Sequence, residues 1–183
     1  MQHKQIVRIS KYLSLHLRHQ PERLGLELGP GGWVSVEDLL AACARDRMHI
    51  SLAELIEVVR GNDKHRFAFD ESGLRIRANQ GHTTEVDLQL EAREPPATLL
   101  HGTAQQFVPV ILDKGLKKMD RHHVHLTESE ETALKTGRRK GKPVRLEVDA
   151  SGLHAAGRLF YLTANAVWLV EDVPPAYLKV REL

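Results

Sequence analysis

The spacing of the apolar residues changes partway along the chain, and that change limits the fold more than any other feature. In the N-terminal part, apolar side chains recur at intervals of three and four. Ile6, Ile9, Leu13 and Leu17 form one stripe, which predicts an amphipathic helix. Pro21 cannot sit in a helix interior and biases Gln20 away from helical backbone, so this helix ends at Arg18-His19. "GPGGW", Gly29 to Trp33, reads as a turn. Ser35 with Asp38, and Ser51 with Glu54, have the spacing at which a side chain caps the first turn, predicting two more helices. The second of these ends near Gly61-Asn62. Phe67 and Phe69 alternate with polar neighbours, Glu71-Ser72-Gly73 supplies a turn, and Leu74 and Ile76 alternate with Arg75 and Arg77. That pattern predicts a hairpin with one buried face. Beyond Pro95-Pro96 the period becomes two. "TLLHGT", "HVHLT", "PVRLEVDA" and "LFYLTANAVWLV" read as short strands, with helices in "AQQFVPVILDKG" and "SEETALKTGRRKG".

The expected fold class is α+β. Three helices and a hairpin suggest a winged-helix module over residues 1–92. Pro95-Pro96 is a stiff linker, and residues 97–183 form a compact β-rich α+β unit. A hydrophobic fraction of 42% over 183 residues supports a packed core and argues against disorder. The balance of 26 basic and 24 acidic residues leaves a net charge of +2, which by itself identifies no nucleic-acid binder. The lone Cys43 excludes an internal disulfide framework and a Cys-rich zinc site. "MQHKQIVRIS" has no apolar leader, and no apolar run reaches membrane-spanning length, so a soluble cytoplasmic protein is expected. No P-loop, dinucleotide glycine fingerprint, H-E-x-x-H or G-x-S-x-G occurs.

Four stretches carry residues capable of chemistry. In "DRHHVHLT", a strand would put Arg121, His123 and His125 on one face and His122, Val124 and Leu126 on the other. The first face is either the floor of an anion-binding cleft or an edge strand with satisfied histidines. Zinc is a third reading, but no nearby carboxylate or Cys completes a tetrahedral set. In "LLHGT", glycine permits close backbone approach to a ligand, and His101 and Thr103 can bond ribose hydroxyls; a turn at a strand end is the alternative. Arg18 at a helix C-terminus either bonds the last carbonyls or, with His19 and Arg66, holds a phosphate. "GRRKGKP" is either a solvated charge run or a contact to an RNA backbone.

Read together, "SKYLSLHLRHQPERLGLELGPGGWVSVEDLL", "KHRFAFDESGLRIRANQGHT", "LLHGT", "GLKKMDRHHVHLT", "PVRLEVDA" and "FYLTANAVWLVEDVPPAYL" closely resemble the RNA 2′-phosphotransferase family, from about Ser10 to Tyr177. The resemblance implies an N-terminal winged-helix lobe and a C-terminal ADP-ribosyltransferase-like lobe that binds NAD, with the site between them. It implies removal of an internal 2′-phosphate from RNA, of the kind left at a tRNA splice junction, with NAD⁺ consumed. The family's essential Arg-His-Arg-Arg set falls on Arg18, His19, Arg66 and Arg121. The resemblance places His101, Gly102 and Thr103 against the adenosine ribose and pyrophosphate, and His125, Leu126 and Thr127 near the nicotinamide half. No metal is expected. The expected partners are RNA with an internal 2′-phosphate and NAD⁺, with no membrane and the chain acting as a monomer. An ADP-ribosyltransferase acting on phosphorylated nucleic-acid ends is the alternative reading, and a winged-helix binding module is a third. Two departures stand out: Thr127 where serine is common, and Ala166 where glycine is common.

Overall fold

The computed structural model describes residues 2–61 and 65–181. Helix and sheet are mixed in it, and the class is α+β. The chain divides into two compact units, Met1–Gln89 and Leu90–Leu183.

In the first unit, helices α1 (His3–Arg18), α2 (Val36–Arg45) and α3 (Leu52–Arg60) accompany strands β1 (Val34–Ser35), β2 (Phe67–Phe69) and β3 (Arg75–Ala78). The stripe on α1 is its packing face: Ile9, Leu13 and Leu17 are buried, and Ile6 packs on the same core. Each such burial contributes about 1.5–3 kcal/mol. Leu39, Leu55, Val58, Phe67 and Ile76 complete that core. Ser35 caps α2 by accepting from the Asp38 amide at 3.3 Å. Ser51 and Glu54 make the full reciprocal cap of α3, because the Ser51 amide also donates to the Glu54 carboxylate at 2.9 Å. Gly61 closes α3, while the expectation placed on Asn62 lies outside the described residues.

The expected hairpin is present, with a third strand beside it. The sheet order is β1-β3-β2, all antiparallel, with Val34 opposite Ile76 and Phe69 opposite Ile76 from the other side. The buried face differs from expectation at one residue. Leu74 is 71% exposed and belongs to the turn. The cause is Asp70, whose carboxylate takes the Ser72 hydroxyl, the Arg75 amide and Arg75 Nε. That knot extends the turn through Leu74, so the strand starts at Arg75.

The second unit contains β4 (Thr98–Ala104), α4 (Val108–Lys114), β5 (Leu116–Lys117), β6 (Val124–Leu126) and α5 (Glu130–Gly137). These are followed by β7 (Pro143–Asp149), α6 (Ala150–Ala155), β8 (Phe160–Leu162), β9 (Trp168–Val170), β10 (Asp172–Val173) and β11 (Leu178–Arg181). The strands form antiparallel sheets in the orders β11-β7-β4, β6-β9-β8 and β10-β5. Leu100 and Thr127 exchange both backbone hydrogen bonds, at 2.8 and 2.9 Å, and so tie β4 to the end of β6. Leu99, Leu126, Leu146, Val148, Phe160 and Val170 form the core. Helix α6 was not anticipated. Asp149 ends β7 and caps α6 by accepting from the Gly152 amide at 2.9 Å.

Helix α5 lies directly on β4 because two glycines remove side chains from the contact. A Cβ on Gly102 would stand 1.7 Å from the Ala133 carbonyl oxygen. A Cβ on Gly137 would stand 2.3 Å from the Thr103 carbonyl oxygen. The close approach expected at Gly102 is to a ligand, whereas the close approach present here is to the backbone of α5.

The turn between β8 and β9 explains one of the departures noted above. Ala166 has φ +57°, in the left-handed region, and its amide donates to the Thr163 carbonyl at 3.0 Å. A Cβ there costs about 1–2 kcal/mol, partly offset by the greater unfolded-state freedom of glycine. Ala166→Gly is expected to stabilise the protein by about 0.5–1 kcal/mol. The check is urea unfolding, in which the midpoint should rise with the slope unchanged.

Candidate active site

In the first unit, Arg18, His19 and Arg66 are brought together by the end of α1 and the entry to β2. Arg18 is the last residue of α1 and His19 caps it, with its amide bonded to the Leu15 carbonyl at 3.0 Å. The buried His16 donates from Nδ1 to the Gln20 carbonyl at 3.2 Å, which holds the chain as it leaves the helix. The Arg18 carbonyl accepts from the Thr83 and Thr84 amides at 2.9 and 3.2 Å. An orphan carbonyl at the helix end is thereby satisfied by a distant segment, and the Arg18 side chain is free of that task. Arg18 Nη2 donates to the Arg66 carbonyl at 3.4 Å, and its guanidinium lies 5.9 Å from the centre of the Phe67 ring. The Arg66 carbonyl also accepts from the Asn79 amide at 2.9 Å, and Asn79 Nδ2 donates to the His65 carbonyl at 2.6 Å. His19 Nδ1 and Thr83 Oγ1 share a hydrogen bond of 2.9 Å. Arg18 and Arg66 are half-buried and His19 is exposed.

The supporting roles of Asn79, Gly81 and Thr83 were not read from the sequence. The missed signal was "NQGHT". Gly81 takes φ +87°, and a Cβ there would lie in ordinary contact with the Arg18 guanidinium, 3.6 Å from Nη1. The cost of a side chain at that position comes from the left-handed backbone.

In the second unit, His101, His125 and Arg121 are linked in series. His101 is on β4 and His125 on β6, strands joined through the Leu100–Thr127 pair. His101 Nδ1 donates to the His125 carbonyl at 3.0 Å. Burial, and secondly the charge on Arg121, push the His101 imidazole below the usual histidine range, against the opposing effect of that bond. His101 is therefore neutral at pH 7, with Nε2 as a free-valence acceptor. Arg121 Nη1 donates to His125 Nδ1 at 2.7 Å. A guanidinium only donates, so His125 Nδ1 is unprotonated and the proton sits on Nε2. Thr127 Oγ1 accepts from the Ser129 amide at 3.1 Å, in the turn leading to α5. Leu126 is buried in the core, and Thr103 is buried beneath Gly137.

The expected strand through Arg121 is shorter than anticipated. Regular pairing covers only Val124–Leu126, and Arg121 to His123 form a bend. The Arg121 amide bonds to the Lys118 carbonyl at 3.1 Å, and Met119 takes φ +53°, which turns the chain before the sheet begins. Alternation therefore sets only His125 apart from Val124 and Leu126. Arg121 reaches His125 by folding back across the bend, and His123 packs edge to face on Tyr161, with ring centres 5.4 Å apart.

Arg121 has no carboxylate at ion-pair distance among the described residues. Burial and the nearby cation Arg139 push its pKa down from the usual arginine range. Two cations near one another, neither in an ion pair among the described residues, favour an anion. Among the described residues, no group of three or more His, Cys, Asp or Glu gathers as a metal site. No described helix is long and apolar enough to cross a membrane.

These features set guanidinium groups and imidazoles on helix and strand ends. Residues 4–172 match the model of the RNA 2′-phosphotransferase, Tpt1 / KptA family, and the chain belongs to that family. It is 56% identical over 178 residues to a probable RNA 2′-phosphotransferase of Trichormus variabilis, covering 97% of this chain and 98% of the relative. A protein of the same description from Herpetosiphon aurantiacus is 55% identical over 181 residues, 99% and 100% of the two chains. One from Streptomyces griseus is 51% identical over 188 residues, again 99% and 100%.

Proposed function

We propose that this chain removes an internal 2′-phosphate from RNA, with NAD⁺ as a consumed co-substrate. Family membership supports the reaction class, and Arg121, a guanidinium without a carboxylate partner among the described residues, is the observation that carries the reading to the site. The first unit is then the winged-helix lobe, and the second the ADP-ribosyltransferase-like lobe.

In the first step an oxygen of the 2′-phosphate attacks the anomeric carbon of the nicotinamide ribose. Nicotinamide leaves with the electrons of the C–N bond, and RNA-2′-phospho-ADP-ribose forms. In the second step the ribose 2″-hydroxyl attacks the phosphorus. The RNA 2′-oxygen leaves, takes up a proton and becomes a hydroxyl, and ADP-ribose 1″,2″-cyclic phosphate is released. Arg18, Arg66 and Arg121 orient the phosphate and offset the charge that builds on its oxygens. His19 contacts the RNA phosphate, oriented by Thr83. The phosphate is already an anionic nucleophile, so no general base is needed to activate it. The neutral His101, with Nε2 as acceptor, suits a ribose hydroxyl, which has a proton to give. Gly102 and Thr103 follow on the same strand toward the pyrophosphate, Gly102 offering only its backbone because its Cβ side faces α5. His125 and Thr127 flank the nicotinamide side, with Leu126 packed into the core between them.

The test is a short RNA labelled on one internal 2′-phosphate, incubated with and without NAD⁺. Transfer of the label to ADP-ribose cyclic phosphate is the expected result. Label held on RNA as an ADP-ribosylated species would replace this reading with that of an ADP-ribosyltransferase. Absence of any reaction would leave a binding module.

A further inference from the structure

The basic run after α5 is part of neither cluster above, although it adjoins one of them. Arg138, Arg139, Lys140 and Lys142 place four cations between Gly137 and Pro143, and all four are exposed. None has an ion-pair partner among the described residues. A solvated face normally intersperses charges of both signs, and this loop does not. The acids of α5 sit in its first turn, and Glu130 is paired with Arg145. They lie about 10 Å from the loop at 1.5 Å per residue, near the screening length of physiological salt.

The loop is also held in place. Gly137 presses on the Thr103 carbonyl, and the Lys142 carbonyl accepts from the Gln105 amide at 2.9 Å. Gly141 approaches the Ala104 side chain, and Lys140 Nζ lies 5.7 Å from the centre of the Phe107 ring. These contacts fasten the cations to the end of β4, the strand that carries His101 and Thr103. Favourable placement at a helix C-terminus accounts for Arg138 within the last turn. It does not account for Lys140 and Lys142, which lie beyond the turn where that effect has faded. Arg139 acts electrostatically on Arg121, so the loop and Arg121 share one positive region.

We propose that Arg138–Lys142 binds the sugar-phosphate backbone of the RNA beside the reactive 2′-phosphate. This rests on the function proposed above for Arg121. An exposed row of cations suits a repeated, extended anion, and such contacts position a strand without reading its bases. The RNA's own length then becomes a determinant of affinity.

The test compares wild type with the variant R138A/K140A/K142A, whose exposed side chains leave the backbone anchors in place. Binding of an unphosphorylated single-stranded RNA of about a dozen nucleotides is measured against salt. Each phosphate contact contributes about −0.7 to the log–log slope, so losing three lowers the slope by about two. Over a fourfold salt increase the wild type should then lose about 16-fold more affinity than the variant. With 2′-phosphorylated substrates, the ratio of the dinucleotide KM to the oligonucleotide KM should fall in the variant. Equal slopes in the two proteins, or loss of affinity by one common factor for both substrate lengths, would overturn the proposal. The binding arm needs no turnover, so failure of the loop and failure of the proposed reaction are separately visible.

Discussion

Arg121→Ala lowers the rate of 2′-phosphate transfer by on the order of 10²–10³, the usual cost of removing one charge-stabilising donor. The unfolding midpoint should stay within experimental error. Two observations separate the effects. The fold-related contact of Arg121 is the backbone bond from its amide to Lys118, which alanine keeps. The side-chain bond goes to His125 Nδ1, on a strand whose backbone is held independently by the pairing of β6 with β9. Arg121→Lys should recover little, since an ammonium lacks the planar fork that engages two phosphate oxygens. Single-turnover rates and urea unfolding on the same preparations check both halves. Wild-type rates in Arg121→Ala would remove this residue from the phosphate clamp.

Gly102→Ala should act through the fold. The added methyl would meet the Ala133 carbonyl oxygen at 1.7 Å, carbon and backbone oxygen far inside van der Waals contact. No rotamer change relieves a clash between a Cβ and a main-chain atom. Helix α5 must lift from β4, and Gly137 then loses its seat on Thr103. The cost is expected to exceed the usual 1–3 kcal/mol of overpacking, so about 3 kcal/mol or more. The urea midpoint should fall steeply, or the second unit should fail to fold. An unchanged midpoint together with lost NAD⁺ affinity would show that Gly102 serves the ligand alone.

Much of the secondary structure was legible because it depends on near neighbours. The stripe on α1 needs only the helical period, and the caps at Ser35 and Ser51 need only a residue three positions on. The elements that were missed depend on distant partners. Strand β1 is two residues long and exists because Val34 and Ser35 meet Ile76 and Arg75. Leu74 satisfied the alternation, and the Asp70 knot took it out of the strand. Arg121 and His125 read as strand neighbours with a shared face, and a bend brings them together by another route. Ala166 was noticed as a departure, and its positive φ supplies the reason it matters.

The residues of the proposed site could be named from the chain because their types and order resemble those of one family. A guanidinium beside an imidazole before Pro21, an arginine before Phe67 and another before two histidines are local facts of composition. Their states are not local. The acceptor nitrogen on His101 follows from a bond to a carbonyl 24 residues away. The fixed position of His19 follows from Thr83, 64 residues away. The role of Gly102 follows from a helix that begins at Glu130. Periodicity and side-chain chemistry are written residue by residue, so they survive in a linear reading. Tautomers, close backbone approaches and the field around a cation arise only when packing brings distant segments within a few ångströms, and so only the folded chain decides them.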